Sequence, residues 1–312
     1  ILAWMVGRFL PQSWMRSPAI AIGGLSVAVI LLLLVFVPGL GREVNGARRW
    51  LSLGPLGFQP SEVAKWSLVI FLAWYAVKRH QELGTWTRGL LPAMAITALI
   101  CGLVILEDLG TAIMIGCVAM LILLAAGSRL KHLLLLGTGA LGIVILAIRA
   151  EPYRIARLHA FLDPWTDPGG NGYHVIQSLK ALTAGGVGGH GLGSGLQKFG
   201  YLPEDTTDFI FAIIVEELGL LGCLLVTGLF TGLVYAGWSI VQQTRAPHAQ
   251  LLALGITATI SIQGLVNLLV VTGLAPTTGI ALPLVSSGGT GWILTAFMLG
   301  CLAGLDPTPS LR

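Results

Sequence analysis

The chain of 312 residues is 55% hydrophobic and only 10% charged, and its mean hydropathy is +0.84. Soluble domains carry roughly 25% charged residues, and a soluble chain of this length could not enclose so much apolar surface. The composition therefore argues against a soluble globular protein. The net charge of +4 comes from basic residues spread along the chain, which argues against nucleic-acid binding.

Apolar runs of helix length predict the membrane spans. About 20 mainly apolar residues cross the bilayer core as a helix, and only helices or closed barrels satisfy their backbone groups there. We predict an all-α polytopic transmembrane bundle, a single integral membrane domain over residues 1–312, in which about eight spans are complete. The predicted spans are 18–39, 60–77, 89–106, 109–127, 132–149, 209–238, 250–272 and 280–304, and residues 1–10 are expected to be the tail of an earlier span.

Basic residues in short connections predict the orientation, because such residues favour the cytoplasmic side. Alternation of the spans places three basic connections on one side; their residues are Lys78, Arg79, Arg88, Arg129, Lys131 and Arg245. The opposite, outer side then receives the turn that contains Arg48 and a long loop at 150–208. Long loops in compact proteins are usually functional or disordered, and the aromatic content of this one predicts order.

Arg48, Arg49 and Trp50 follow the first complete span. Two adjacent guanidinium groups suit a phosphate-bearing lipid headgroup, since Arg binds phosphate bidentately. The alternative is an ordinary interfacial anchor made of Trp and basic residues.

Glu62 and Lys65 stand at the start of the next apolar helix. Their i, i+3 spacing puts them on one face, and a charged pair at lipid depth is expected to face a cavity or a partner helix. They are candidate site residues, and the alternative is a structural ion pair that locks two helices. Glu107 and Asp108 mark a later outer turn, where solvated acids are the simpler interpretation.

The end of the long loop is rich in glycine and acids. Residues 185–195 form a glycine-rich segment without the context of a dinucleotide or P-loop motif, which leaves a backbone that could wrap phosphate or sugar. Lys198, Glu204 and Asp208 follow it. Asp208 suits a helix N-cap, and the pair Glu216 and Glu217 lies deeper, where acids seldom occur without a reason.

Near the C-terminus, polar residues interrupt the apolar pattern at Asn267 and again around Ser286 and Ser287. Irregular backbone at membrane depth is tolerated where it is buried or lines a cavity, so this segment is expected to border the same site. The loop histidines lack metal-ligand spacing, and no metal site is predicted.

Taken together, the motifs resemble the SEDS proteins of shape, elongation, division and sporulation. The motifs that carry the resemblance are Asn45-Gly46-Ala47-Arg48-Arg49-Trp50, Gln59-Pro60-Ser61-Glu62 with Lys65, Asp108-Leu109-Gly110-Thr111, Asp163-Pro164-Trp165, Leu202-Pro203-Glu204, Thr207-Asp208-Phe209, Glu216-Glu217-Leu218-Gly219 and Leu282-Pro283 with Ser286, Gly288 and Gly289. They run in order over essentially the whole chain. The loop motifs favour the division branch, FtsW, over the rod-shape branch, RodA.

The resemblance implies a ten-span fold and a peptidoglycan glycosyltransferase of the bacterial cytoplasmic (inner) membrane that polymerises lipid II into glycan strands for cell division or elongation. It implies a class B penicillin-binding protein as partner, beside other divisome or elongasome membrane proteins. Asp208 becomes the expected catalytic base. The expected substrate-binding residues are Arg48, Arg49, Trp50, Glu62, Lys65, Lys198, Glu204, Ser286 and Ser287. No cofactor is required by the motifs, although Mg²⁺ is compatible with pyrophosphate beside carboxylates.

Three departures from the family pattern stand out. Leu106-Glu107 replaces a usual Gln-Pro, Asp205-Thr206 replaces a common Ala-His, and Ser287 stands where Tyr is common. Asp205 therefore adds a second carboxylate near Asp208.

Two other functions are consistent with the same composition. A flippase for the same lipid would favour internal repeats and broken helices at the midplane, and no repeat is found. A scaffold would leave the membrane acids unexplained.

A partner helix is expected on a small-residue face, either Gly228 with Gly232 or Gly300 with Gly304.

Overall fold

In the computed structural model, which describes residues 1–44, 47–53 and 56–305, the chain is predominantly helical. The helices are α1 (Leu2–Phe9), α2 (Gln12–Met15), α3 (Pro18–Leu34), α4 (Pro60–Lys78), α5 (Leu91–Ile105, preceded by a π-helical turn at Trp86–Leu90), α6 (Leu109–Ala125), α7 (Leu130–Ala150), α8 (Pro152–Leu162), α9 (Tyr173–Gly185), α10 (Ile210–Gln243), α11 (Pro247–Val271) and α12 (Gly289–Gly304). The predicted helical bundle is confirmed.

Four helices of the described ranges are long and apolar enough to cross a membrane by length and composition: 86–105, 130–150, 210–243 and 247–271. Three further apolar helices, α3, α6 and α12, have 16 or 17 residues. The last predicted span, 280–304, is shorter than expected, because α12 starts at Gly289 and the residues before it are irregular. The protein is thus a multi-pass membrane protein.

A small antiparallel sheet was not predicted. Its strands are β1 (Gly41–Val44), β2 (Ala47–Leu53) and β3 (Leu56–Phe58), in the order β1-β2-β3. The last strand leads directly into α4, where Pro60 occupies the first helical turn, a position that needs no N–H donor. The sheet therefore connects the outer turn to the helix that carries Glu62 and Lys65.

The chain divides into two compact units. Unit 1 comprises Ile1–Gly142, Tyr235–Ile260 and the residues from Gly289 on, and it contains the sheet and helix α4. Helix α4 buries twelve of its 19 residues, including Lys65. In the same unit α1 packs closely on α12, since a Cβ at Gly7 or Gly300 would collide with the backbone of the other helix.

Unit 2 comprises Ile143–Val234 and Ser261–Gly288. Its core joins α9, the first turns of α10, the end of α11 and the irregular segment after it; core members include Ala181, Leu202, Phe209, Ala212, Val271 and Leu282. The long loop is ordered by α8 and α9, as its aromatic content predicted. Asp208 belongs to this unit.

Candidate functional site

Asp208 lies in a tight turn immediately before α10. The N–H groups of Thr207 and Phe209 both donate to the carbonyl of Glu204, at 3.1 Å each. The Thr207 hydroxyl donates to the Glu204 carboxylate at 2.8 Å. Phe209 is buried in the core of unit 2 and anchors the turn there, whereas the neighbouring Asp208 is half-buried. The turn therefore holds the candidate base in a defined place at the mouth of the helix.

Two buried polar side chains hold this turn from neighbouring segments. The Asn267 amide in α11 donates to the carbonyl of Asp208 at 2.7 Å and to that of Ile280 at 2.8 Å. The Ser286 hydroxyl donates to the carbonyl of Thr207 at 2.5 Å. Both side chains are almost fully buried, so these bonds are shielded from water. Asn267 and Ser286 therefore border the Asp208 segment, as expected, and the role of that segment as the substrate site stays a prediction.

Ser286 and Ser287 also form hydrogen bonds with nearby backbone groups. The Ser286 hydroxyl accepts the N–H of Leu282 at 2.7 Å, and the N–H of Ser287 donates to the carbonyl of Thr206 at 2.8 Å. These contacts make both residues position the turn around Asp208. Direct contact of either hydroxyl with a substrate stays a prediction.

His174 in α9 was not expected in this region. Its ring stacks on Phe209, with 5.9 Å between centroids and 23° between planes. Burial lowers the pKa of His174, and the neighbouring charge of Arg157 lowers it further, against the opposing effect of Glu204. Burial and the Arg157 charge both favour the neutral form of the imidazole beside the turn. The sequence carries no signal for this contact, because Phe209 lies far from His174 along the chain.

The paired acids of α10 hold the glycine-rich loop. Glu217 accepts the N–H groups of Gly193 and Gly195, at 3.0 and 3.3 Å. Glu216 accepts those of Leu196 and Gln197, at 2.9 and 3.2 Å. The expectation that the backbone of residues 185–195 is available to wrap a phosphate is wrong for the N–H groups of Gly193 and Gly195, because the Glu217 carboxylate already accepts them.

Lys198 is paired with one of these two acids, Glu217. Its Nζ lies 2.6 Å from a carboxylate oxygen of Glu217. For Lys198 to bind a substrate phosphate, it would have to exchange this carboxylate for the phosphate. The role of Lys198 in substrate binding therefore stays a prediction, and the Glu217 carboxylate would compete with the substrate for it.

Glu62 and Lys65 form the predicted pair in unit 1. The Lys65 Nζ donates to both carboxylate oxygens of Glu62, at 2.8 and 2.7 Å. The Lys65 side chain is 2% exposed and that of Glu62 is 12% exposed. A Cβ placed on Gly291, in the first turn of α12, would lie 3.3 Å from the Glu62 carboxylate. The pair is therefore a buried one, packed against the start of α12.

Glu107 and Asp108 are buried, so the interpretation as solvated acids is wrong. Asp108 caps α6, accepting the N–H of Thr111 at 3.0 Å and its hydroxyl at 2.8 Å. The Arg49 guanidinium lies 3.8 Å from the Asp108 carboxylate. One oxygen of Glu107 and the Nε of Arg49 are buried with no hydrogen-bond partner within the described part of the chain. A sequence pattern of two acids in a turn gives no sign of this burial.

Trp50 lies half-buried in β2 next to Arg49. The side chain of Arg48 and residues Asn45 and Gly46 lie outside the part of the chain that the structure describes. Their predicted role with Trp50 and Arg49 stays a prediction. Across the described residues no group of three or more His, Cys, Asp or Glu side chains could hold a metal ion.

Burial of Glu107 predicts a stability change with pH. Desolvation raises its pKa from 4.5 to about 7, partly offset by Arg49, and Asp108 adds to the increase. The folded state then binds more protons than the unfolded state between these values, so the free energy of unfolding should fall as the pH rises from 4.5 to about 7. Melting curves of wild type and Glu107→Gln in detergent across this range should show a steeper fall for wild type. Equal slopes would mean that Glu107 is solvated.

The sequence model of the family described as cell cycle proteins, FtsW/RodA/SpoVE, matches residues 1–309. The chain is 40% identical to the probable peptidoglycan glycosyltransferase FtsW of Geobacter sulfurreducens over 279 residues, which cover 89% of this chain and 75% of that protein. It is also 40% identical to the protein of the same name from Legionella pneumophila, over 98% of this chain and 78% of that one.

Solved structures give the same result. One similar chain belongs to a peptidoglycan synthase complex described for its coordination of polymerization and crosslinking, with a TM-score of 0.79, 30% identity and coverage of 98% of this chain and 85% of that one. Another is the rod shape determining protein RodA of Thermus thermophilus, with a TM-score of 0.67, 29% identity and coverage of 97% and 83%. The chain therefore belongs to the FtsW, RodA and SpoVE family of cell cycle proteins.

Proposed function

We propose that the chain is a peptidoglycan glycosyltransferase that polymerises lipid II into glycan strands at the outer face of the bacterial cytoplasmic membrane. The observation that carries the proposal is the arrangement around Asp208, in a chain similar along its length to proteins named for this activity. Buried amide and hydroxyl groups of Asn267 and Ser286 fix the backbone on both sides of one half-buried carboxylate. Such positioning is what a general base requires.

The proposed reaction is a single displacement with inversion. Lipid II carries its sugar on an α-linked pyrophosphate, and the strand that forms has β linkages, so one in-line attack by the acceptor 4-hydroxyl suffices. Asp208 accepts the proton of that hydroxyl as the new glycosidic bond forms and the bond to pyrophosphate breaks. Arg48, Arg49 and Lys198 are the cations proposed to stabilise the leaving pyrophosphate. Glu62, Lys65, Trp50, Glu204, Ser286 and Ser287 are proposed to bind or position the substrate.

The proposed partner is a class B penicillin-binding protein that crosslinks the strands. Support comes from the similar chain in a complex described for coordinated polymerization and crosslinking. One predicted docking face, Gly300 with Gly304, is wrong, because α1 of the same chain already packs on Gly300. A Cβ at Gly228 or Gly232 would meet nothing within 4 Å, so that face stays a prediction.

The flippase and the scaffold are the competing proposals, and one assay separates them from the transferase. Purified chain with its partner should convert lipid II into glycan polymer while the transpeptidase is blocked by a β-lactam. A flippase would move lipid II across vesicle membranes without forming polymer. A scaffold would do neither. Absence of polymer from a folded, correctly assembled complex would overturn the proposed function.

A further inference from the structure

The glycine-rich loop carries a cluster of exposed apolar side chains. We call residues 187–201 the loop tip. Its large exposed members are Val187, Leu192, Leu196, Phe199 and Tyr201, with exposed fractions between 57% and 79%. Five such side chains within fifteen residues would be costly in water, and exposed apolar clusters mark interaction surfaces.

Most backbone N–H groups in the first part of the loop tip have hydrogen-bond partners within the protein and do not need water as a partner. Eight of the nine N–H groups from Gly189 to Gln197 have partners within unit 2. Glu216 and Glu217 supply most of these, through their carbonyls to His190 and Gly191 and through their carboxylates to the four N–H groups described above. Irregular backbone is excluded from lipid mainly by unsatisfied polar groups. This loop largely escapes that penalty.

The charges of the loop tip are also compensated. Lys198 is paired with Glu217, and Glu216 is 2% exposed with its oxygens bound to backbone N–H groups. Isolated charges resist the membrane interface, whereas a paired lysine on a flexible stem tolerates it. The charges of the loop therefore do not oppose contact with lipid.

The loop tip adjoins the start of the exposed apolar part of α10. The helix breaks at Gly219, whose φ of 62° favours glycine, and a Cβ there would collide with the backbone of Val187 and Gly189. The N–H of Leu220 donates to the carbonyl of Gly186 at 3.1 Å. The loop is thus fastened to the helix at its break.

Exposure along α10 changes at the same place. From Ile210 to Gly219 no large apolar side chain is exposed, whereas Leu220, Leu221, Leu224, Leu225 and Leu229 all are. Residues 220–243 are alone long enough to cross the hydrocarbon core, since a helix rises about 1.5 Å per residue and the core is about 30 Å thick. The exposed apolar surface of this candidate span therefore begins where the loop is attached, and the apolar side chains of the loop lie next to its start.

We propose that the loop tip inserts its apolar side chains into the headgroup and acyl boundary of the adjacent leaflet, so that the occupant of this surface is phospholipid. The insertion would hold the glycine-rich loop, and through Glu216 and Glu217 the first turns of α10 after Asp208, at a fixed height on the membrane. Aromatic and aliphatic side chains with a nearby lysine are typical of such interfacial segments.

The test places a fluorescent label on the loop tip. In a full-length variant with the four native cysteines replaced by Ala, a single cysteine at position 192 or 199 is labelled with NBD and reconstituted in phosphatidylglycerol and phosphatidylethanolamine vesicles. We expect blue-shifted emission and loss of emission when lipids carry a nitroxide at acyl carbon 5. Gly169→Cys is the matched control, because it is an exposed loop position with open space around it. Its label should emit as in water and resist quenching.

A second measurement avoids replacing the buried cysteines. A benzoyl-phenylalanine at position 192 or 199 of the otherwise unchanged chain should crosslink to labelled phosphatidylglycerol on illumination. Emission and quenching equal to those of position 169, with no lipid crosslink, would show the loop tip in water and overturn the proposal. Protection that arises only after a class B penicillin-binding protein is added would assign the surface to that protein and also overturn it. Neither outcome depends on transferase activity.

Discussion

Replacing Asp208 by Asn is expected to abolish lipid II polymerisation and leave the protein folded. Asparagine keeps the size of the side chain but cannot accept the proton of the acceptor hydroxyl. The hydrogen bonds from Asn267 and Ser286 run to the backbone carbonyls of Asp208 and Thr207, so the substitution leaves these two bonds intact. Loss of a general base lowers turnover by about 100- to 10,000-fold. Polymer formation is measured on gels, with the melting temperature and partner copurification as measures of folding.

Asp205→Asn is the matched control, since it changes the neighbouring carboxylate of the same turn. It should polymerise lipid II at close to the wild-type rate. If Asp208→Asn keeps more than about a tenth of wild-type turnover, which is less than the loss expected for a base, the role belongs to Asp205 or Glu204. Glu216 and Glu217 are weaker alternatives than their sequence suggests, because their carboxylates bind the glycine-rich loop.

The helices and the polar pair at Glu62 and Lys65 could be predicted because their signals are local. A run of apolar residues indicates a span by itself, and i, i+3 spacing brings two charges together on any helix. Asn267 was expected near the site because it is one of the polar residues that interrupt the apolar pattern toward the C-terminus. The sequence could not say that its amide donates to the carbonyl of Asp208.

The failures share a cause, which is that the deciding partner lies far away in sequence. Glu107 looks like a solvated turn residue until the fold buries it near Arg49. Glu216 and Glu217 look like spare catalytic acids until the loop from Gly193 to Gln197 is seen to bind them. The sheet at 41–58 was not predicted because its strands are short, with four, seven and three residues.

Removing either member of the Glu62 and Lys65 pair is expected to destabilise the protein strongly and to stop polymerisation. Glu62→Gln removes the carboxylate partner of a lysine that is 2% exposed, and Lys65→Met leaves a carboxylate that is 12% exposed without its ammonium. Breaking a buried pair in this way costs roughly 3 to 5 kcal/mol. Arg79→Met is the matched control, because Arg79 and Glu82 form an ion pair of the same spacing on an exposed surface. Its cost should stay within about 1 kcal/mol.

The double variant Glu62→Gln with Lys65→Met separates structure from function. A neutral, similarly sized pair leaves no buried charge uncompensated, so much of the lost melting temperature should return. If the two charges also bind the substrate, the double variant should fail to polymerise lipid II even though its stability is restored. Wild-type polymerisation by the double variant would reduce the pair to an ion lock between α4 and its neighbours. Normal activity and stability in both single variants would contradict its burial altogether.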